Sequence, residues 1–250
     1  MTQLPGRVAA FFDFDRTLVD VDGGVLFGKE LLRIYRRRIL ADRPGTLGWF
    51  ARVIGYHLRM GRLLLTGLVA RLLYYLRMIK RSTLVNIAYS GFKGLNLDEL
   101  RMLAQDFVDE VLAHRLYPEA RTLMEAHRKQ GHLVVIATTN MRLLVEHFKK
   151  HLPVDDVIGT ELVASRGIAT GRVIGPTFGI PKAEAVRQYA HDRNISLPKS
   201  YAYTDHYSDH WFVGLVGNPH VVNPGLRLRR MAKRKGWAML QFRPRNRTAG

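Results

Sequence analysis

The chain runs to 250 residues, enough to bury a substantial core as one large domain or as a core with an insert. It has no cysteine, which excludes disulfides, thiolate metal sites and cysteine nucleophiles and suits a reducing, cytoplasmic compartment. Its net charge of +18 is uneven, with 14 Lys/Arg against two acids between Lys29 and Lys93 and nine basic residues without an acid from Arg227 to Arg247. Such an excess serves solubility, an anionic membrane surface, nucleic acid or a polyanionic substrate.

No basic run precedes an apolar stretch at the N-terminus, so no signal peptide is expected. Val8 to Phe12 is a short, wholly apolar run that suits a strand buried on both faces of a parallel sheet. It ends in two acids, Asp13 and Asp15, whose i, i+2 spacing points both to one side at the carboxyl end of the strand. Asp-x-Asp after a strand also starts ordinary turns, so the pair alone leaves turn and site open.

From about Val25 to Arg115 the pattern is helical. Leu26, Leu31, Leu32, Ile34 and Tyr35 mark one helix, with Arg36 to Arg38 near its end and Arg43-Pro44-Gly45 as its break. A second helical stretch spans about Thr46 to Arg81. Its apolar residues are interrupted at Arg62, Arg71 and Arg77, too often for a membrane span. Asn96 reads as an N-cap with Glu99 completing a capping box, opening a helix to about His114.

Tyr117 begins a different regime. Pro118 suits a first helical position and Gly131 a helix stop, after which His132 to Asn140 is a second buried-type strand ending in hydroxyls and an amide. A helix is expected from about Met141 to His151. A hairpin or short two-stranded excursion follows around Glu161-Leu-Val-Ala and Gly171-Arg-Val-Ile. Lys182 opens a helix to about Arg193, Tyr201 to Thr204 is a third strand ending at Asp205, and His220-Val-Val-Asn and Trp237 to Phe242 flank a basic helix, Leu226 to Lys235. This alternation predicts an α/β fold, a Rossmann-like parallel sheet core at 1–20 and 116–250 interrupted by an all-helical insert at 21–115.

Asp13/Asp15, Thr138, Lys182 and Asp205/Asp209 then fall at the expected carboxyl end of the sheet. Thr138 alone reads more readily as a strand-end cap, and Lys182 alone as a solvated helix residue. Together they suit phosphoryl transfer with a divalent cation. Carboxylates favour a hard ion such as Mg²⁺, while a hydroxyl and a lysine hold the remaining phosphate oxygens. The ten histidines show no metal-ligand spacing.

The sequence resembles the haloacid dehalogenase superfamily of aspartate-nucleophile phosphatases, and within it the phosphoserine-phosphatase-like subfamily IB with a helical cap after the first motif. The resemblance rests on Asp13-Phe-Asp-Arg-Thr17, Val134-Val-Ile-Ala-Thr138, Lys182 in Ile180-Pro-Lys-Ala-Glu-Ala-Val, and Asp205-His-Tyr-Ser-Asp209. Gly217 to Pro224 and the basic helix then resemble the subfamily's closing segment. It implies an HAD fold and a Mg²⁺-dependent phosphoric monoester hydrolase working through an aspartyl-phosphate. Asp13 is implied as nucleophile and metal ligand, and Asp15 as general acid and base that lends its backbone carbonyl to the metal. Thr138 and Lys182 are implied to bind the phosphoryl group, Asp205 to bind the metal, and Asp209 to support the metal site directly or through Lys182. Four residues depart from the usual pattern or stand beside it: Arg16 and His206 where small residues are frequent, Thr204 before the fourth motif, and Asp22 near a substrate-reading acid of phosphoserine phosphatases.

Three functions follow in order of preference. The first is a phosphatase of small-molecule phosphomonoesters. The second is the same chemistry on a lipid phosphate, phosphatidylglycerophosphatase-like, with the basic cap in peripheral contact with an anionic inner membrane face. The third is a non-catalytic anion- or nucleic-acid-binding protein on this fold, disfavoured because no nucleic-acid module is present. Substrate identity, oligomeric state and the roles of Arg16, Asp22 and His206 are not given by the sequence.

Overall fold

The computed structural model describes residues 6–41, 54, 58, 65, 68, 69, 72, 73, 75, 76, 78, 79, 81–175 and 179–244. The expected break at Arg43-Pro44-Gly45 and most of the helical stretch from Thr46 to Arg81 lie outside them. The chain divides into two compact units: Met1–Gly24 with Ala104–Glu161 and Ile174–Gly250, and Val25–Leu103 with Leu162–Val173.

The first unit is built on strands β1 (Ala9–Phe12), β2 (Leu133–Met141), β3 (Asp156–Ser165), β5 (Tyr201–Thr204), β6 (Asn218–Val222) and β7 (Ala238–Leu240). With β4 (Ile168–Ile174), which follows β3, the sheet order is β4-β3-β2-β1-β5-β6-β7. β1 is central and pairs in parallel with β2 (Phe12 opposite Ile136) and with β5 (Phe12 opposite Tyr203). All four β1 residues are fully buried, so each Phe contributes about 2–3 kcal/mol of burial. That is why this run shows no alternation. β3 also pairs in parallel with β2, which its opening Asp156 and its Gly159 disguise in the sequence.

On one face, Phe11, Val135, Ala137, Ala202 and Val221 pack with residues of the helices Ile180–Asp192, His210–Val213 and Leu226–Lys235. The last of these buries Leu228, Met231 and Ala232, one stripe at i, i+3, i+4, and leaves its basic residues outward. Gly236, at φ 68°, ends it in the left-handed conformation glycine tolerates. The helix Pro118–Lys129 begins on Pro118, and Gly131 follows it at φ 75°.

The opposite face carries an aromatic ladder. Phe12 stacks on Tyr203 (4.5 Å between centroids), Tyr203 on His220 (4.7 Å), and Tyr201 on His132 (5.4 Å). The His127 ring sits among them, Nε2 against the Tyr203 hydroxyl at 2.7 Å and Nδ1 against His132 Nδ1 at 2.9 Å. Burial, then the neighbouring His132 and His220, push the His127 pKa down to about 4; burial also lowers those of His132 and His220. The folded state therefore binds fewer protons than the unfolded chain between pH 6.5 and 4, so this stabilisation is full above 6.5 and fades as pH falls. Relative to His127→Gln, the wild type is expected to lose about 2 kcal/mol of unfolding free energy between pH 7 and pH 5, read by urea denaturation of both proteins.

In the second unit, Asn96 Oδ1 caps the helix Leu97–Phe107 by accepting from the N–H groups of Asp98 and Glu99 (2.9 and 3.0 Å). The β3–β4 turn, Arg166-Gly167, has positive φ at both residues, the conformation of a two-residue hairpin. The tip pairs with residues 94–97, Gly94 N–H donating to Ala169 O and Ala169 N–H to Leu95 O, both 2.8 Å. Relative to the expected insert, 21–115, this unit gains the hairpin tip and lacks residues 21–24 and 104–115. Those group with the first unit, where Val108 and Leu112 are buried and the Arg115 guanidinium pairs with Asp20 at 2.5 Å. No helix among the described residues is long and apolar enough to cross a membrane.

Candidate active site

The carboxyl ends of β1, β2 and β5 converge on one site, with the start of the helix Ile180–Asp192 beside them. Asp13 follows β1 directly, its N–H donating to Tyr203 O at 2.9 Å, so the ladder to β5 holds the backbone of the first acid. The chain then coils tightly, the N–H groups of Thr17, Leu18 and Val19 all reaching Phe14 O. Arg16 sits at the apex of the coil at φ 54°, a conformation glycine adopts without strain, and its side chain is exposed. Arg16 also lowers the pKa of Asp205, which places its charge near the site.

Lys182 is the centre of the polar network. Only 1% exposed, its ammonium donates to Asp13 Oδ1 at 2.7 Å and to Asp209 Oδ2 at 2.5 Å, and lies 4.8 Å from the Phe212 ring centroid. Burial works against the charge, but the two carboxylates outweigh it and raise the Lys182 pKa. Thr204 donates to the same Asp209 oxygen at 3.2 Å, which gives the residue before the fourth motif a structural task. His206 caps the short turn after β5, its Nδ1 accepting from Ser208 N–H at 3.1 Å, and is exposed.

Asp15 is held separately. Its Oδ1 accepts from Gly23 N–H at 2.8 Å, and Asn140 Nδ2 donates to both carboxylate oxygens at 2.9 Å. Asn140 is brought there by a register shift in the β2–β3 ladder between Ala137 and Met141, a local irregularity that re-aims side chains. The hydroxyl of buried Thr138 accepts from Asn140 N–H at 3.1 Å. A Cβ on Gly24 would stand 2.3 Å from Asn140 Oδ1, so the close approach depends on glycine there. Asn140 is the site residue that sequence reasoning passed over. Its signal was the i, i+2 relation to Thr138 at the end of an apolar strand.

Burial first, then the neighbouring acids, push three carboxyls up. Asp13 rises to about 6 despite Lys182, with Asp209 adding to the shift; Asp205 rises to about 7 through Asp13 and Asp209. Asp15 rises to about 8 through Asp22 and Asp13, Asn140 and Gly23 pulling the other way. Lys182 meets Asp13 and Asp209, and an oxygen-seeking divalent cation would relieve the repulsion that Asp13, Asp205 and Asp209 still exert on one another. The donor set fits such an ion in chemistry and charge. Among the described residues no three metal-ligating side chains gather around one point. Lys182 engages Asp13 and Asp209, Asn140 engages the Asp15 carboxylate, and Asp205 Oδ1 meets only a long hydrogen bond, 3.4 Å, from Thr17 Oγ1.

Comparisons with known proteins give the family of the chain. The chain is 30% identical over 240 residues to the inhibition of morphological differentiation protein of Streptomyces azureus, covering 94% of this chain and 79% of that one. It is 30% identical over 236 residues to phosphoserine phosphatase SerB1 of Mycobacterium tuberculosis, covering 94% and 71%. Among solved structures it is similar to a Bordetella pertussis protein of unknown function, with a TM-score of 0.73, 22% identity and coverage of 94% and 98%. Residues 10–212 match the family model of haloacid dehalogenase-like hydrolases, and the chain belongs to that family.

Proposed function

We propose that the protein is a Mg²⁺-dependent phosphatase that hydrolyses a phosphomonoester through a phosphorylated Asp13. The observation that carries this reading is the pairing of two differently held acids. Asp13 is fixed by Lys182 at the mouth of the central strand, and Asp15 is fixed by Asn140 while burial and Asp22 favour its protonated form. The SerB1 relative, a phosphoserine phosphatase, supports the same chemistry.

Asp13 attacks phosphorus, and the ester oxygen leaves with the proton that Asp15 carries. Asp15, now a carboxylate, takes a proton from the water that cleaves the acyl phosphate, and Asp13 is regenerated. Lys182 neutralises charge on the transferred group, and Thr138 supplies a hydroxyl. Asp13, Asp205 and the Asp15 backbone carbonyl would hold Mg²⁺, with Asp209 acting on the site through Lys182. When bound, the cation offsets the repulsion between carboxylate and phosphate. The second unit is the proposed cap.

The test is release of inorganic phosphate from a metabolite and aryl phosphate panel with Mg²⁺, beside a thermal melt with and without the ion. Turnover of at least one ester and a Mg²⁺-dependent rise in melting temperature that Asp205→Asn abolishes are expected. Inactivity across the panel together with an unmoved melt would sink the reading.

Asn140 and Asp22 set the proton affinity of Asp15 in opposite senses. Asn140 hydrogen-bonds the carboxylate and lowers its pKa, whereas the Asp22 charge raises it. Asn140→Ala is expected to cost about 10–100-fold in kcat by loosening the acid and to move the alkaline limb of kcat/KM to higher pH. Asp22→Asn is expected to move that limb to lower pH. Full pH–rate profiles of the three proteins check both signs.

A further inference from the structure

The second unit carries an exposed apolar row that the catalytic reading does not use. Ile54, Leu58, Leu65, Leu68 and Leu72 are helical, and together with Leu76 they are between 56% and 70% exposed. In the sequence their spacing, at 100° per residue, follows the period of a single amphipathic stripe. Tyr75, 85% exposed, extends the row. Six large apolar side chains this exposed between positions 54 and 76 are unlike the scattered single hydrophobics of an ordinary surface.

The sequence around this row says what covers it. Between Lys29 and Lys93 there are 14 Lys/Arg and two acids, and Arg52, Arg59, Arg62, Arg71 and Arg77 interleave with the apolar residues. A second copy of the chain would bring the same excess of twelve positive charges (14 − 2) against it. Nucleic acid would satisfy the charge and leave the leucines in water. An anionic bilayer satisfies both, because interfacial leucines enter the headgroup boundary while arginines meet lipid phosphates. Arg52, Arg59, Arg62, Arg71 and Arg77 interrupt the stretch too often for a membrane span, so the mode is lying on the surface.

We propose that the apolar row from Ile54 to Leu76 docks the protein on the surface of an anionic lipid bilayer. The inference does not rest on the phosphatase reading.

The test is flotation of the full chain with phosphatidylcholine vesicles alone or with about a third phosphatidylglycerol, at low and physiological salt. Binding confined to the anionic vesicles and weakened by salt is expected. Leu58→Ser/Leu65→Ser/Leu72→Ser is expected to lower it at least about tenfold. Leu226→Ser, which removes an exposed leucine of the first unit, should bind as the wild type does. Circular dichroism confirms that both variants fold, and hydrolysis of an aryl phosphate, where present, should be unchanged. Absence of flotation at low salt overturns the proposal, as does full binding by the triple variant. A wild-type dimer that the triple variant dissolves, or duplex DNA binding lost in that variant, assigns the row to another occupant and also overturns it.

Discussion

Asp13→Asn is expected to lower kcat by at least about ten-thousandfold while leaving the melting temperature unchanged or raised. The two outcomes have one origin. Asn keeps the volume of Asp and an oxygen that can accept from the Lys182 ammonium, but it cannot form an acyl phosphate. In the wild type, burial and the Asp209 charge disfavour the ionised Asp13 carboxyl and push its pKa up to about 6. Raised in the fold, that carboxyl makes the folded state bind more protons than the unfolded chain between pH 4 and 6, so its ionisation lowers stability as pH rises through that window. The amide removes this cost and leaves Asp209 as the carboxylate that ion-pairs with Lys182. Phosphate release under single-turnover conditions and a melt at pH 7.5 read the two effects; activity within tenfold of wild type would remove Asp13 as nucleophile.

How much of this was legible depended on whether a residue's task is set by near or distant sequence. β1, β2 and β5 were legible because strands buried on both faces write an uninterrupted apolar run. The N-cap at Asn96 and the stop at Gly131 were legible because capping and positive φ are local demands. The parallel pairing of β3 was hidden. It opens at Asp156 and contains Gly159, residues that read as a turn, while neighbouring Asp155 accepts from Val134 N–H at 2.8 Å. The helix expected from Met141 to His151 forms a single α-turn, Arg142–Val145, and tightens into 3₁₀ geometry over Glu146–Lys150. The hold of Asn140 on Asp15 joins residues 125 apart and requires the missing Cβ of Gly24, so nothing near Asn140 announces it. Three of the histidines, His127, His132 and His220, gather instead with Tyr201 and Tyr203 on one face of the sheet, where β5, β6 and the helix Pro118–Lys129 meet. Arg16 is the reverse case: its place in the motif was plain, and its positive φ emerges only from the coil that follows β1.

Lys182→Met is expected to abolish turnover and to destabilise the protein by about 3–5 kcal/mol at pH 8, lowering the melting temperature by roughly 10 °C. Nothing local marks Lys182 as buried, since the sequence around it reads as an ordinary helix start. In the fold it is 1% exposed and lies between two acids, one of them 169 residues away in sequence. Methionine fills the same space and meets the Phe212 ring well, so packing survives. What remains is Asp13 and Asp209 buried together without a counter-ion. Without the ammonium the Asp13 carboxyl is held protonated still further, and stability is then lost as pH rises above the ordinary carboxylate range, where the unfolded chain has released this proton and the folded state has not. The deficit should therefore be small at pH 5 and large at pH 8. Lys182→Arg should not restore activity, because a planar guanidinium does not fit a site shaped for a compact ammonium. Urea denaturation of wild type and variant at the two pH values decides the matter. A deficit independent of pH would mean that Lys182 contributes through packing alone, and its charge would then have no part in holding Asp13 for reaction.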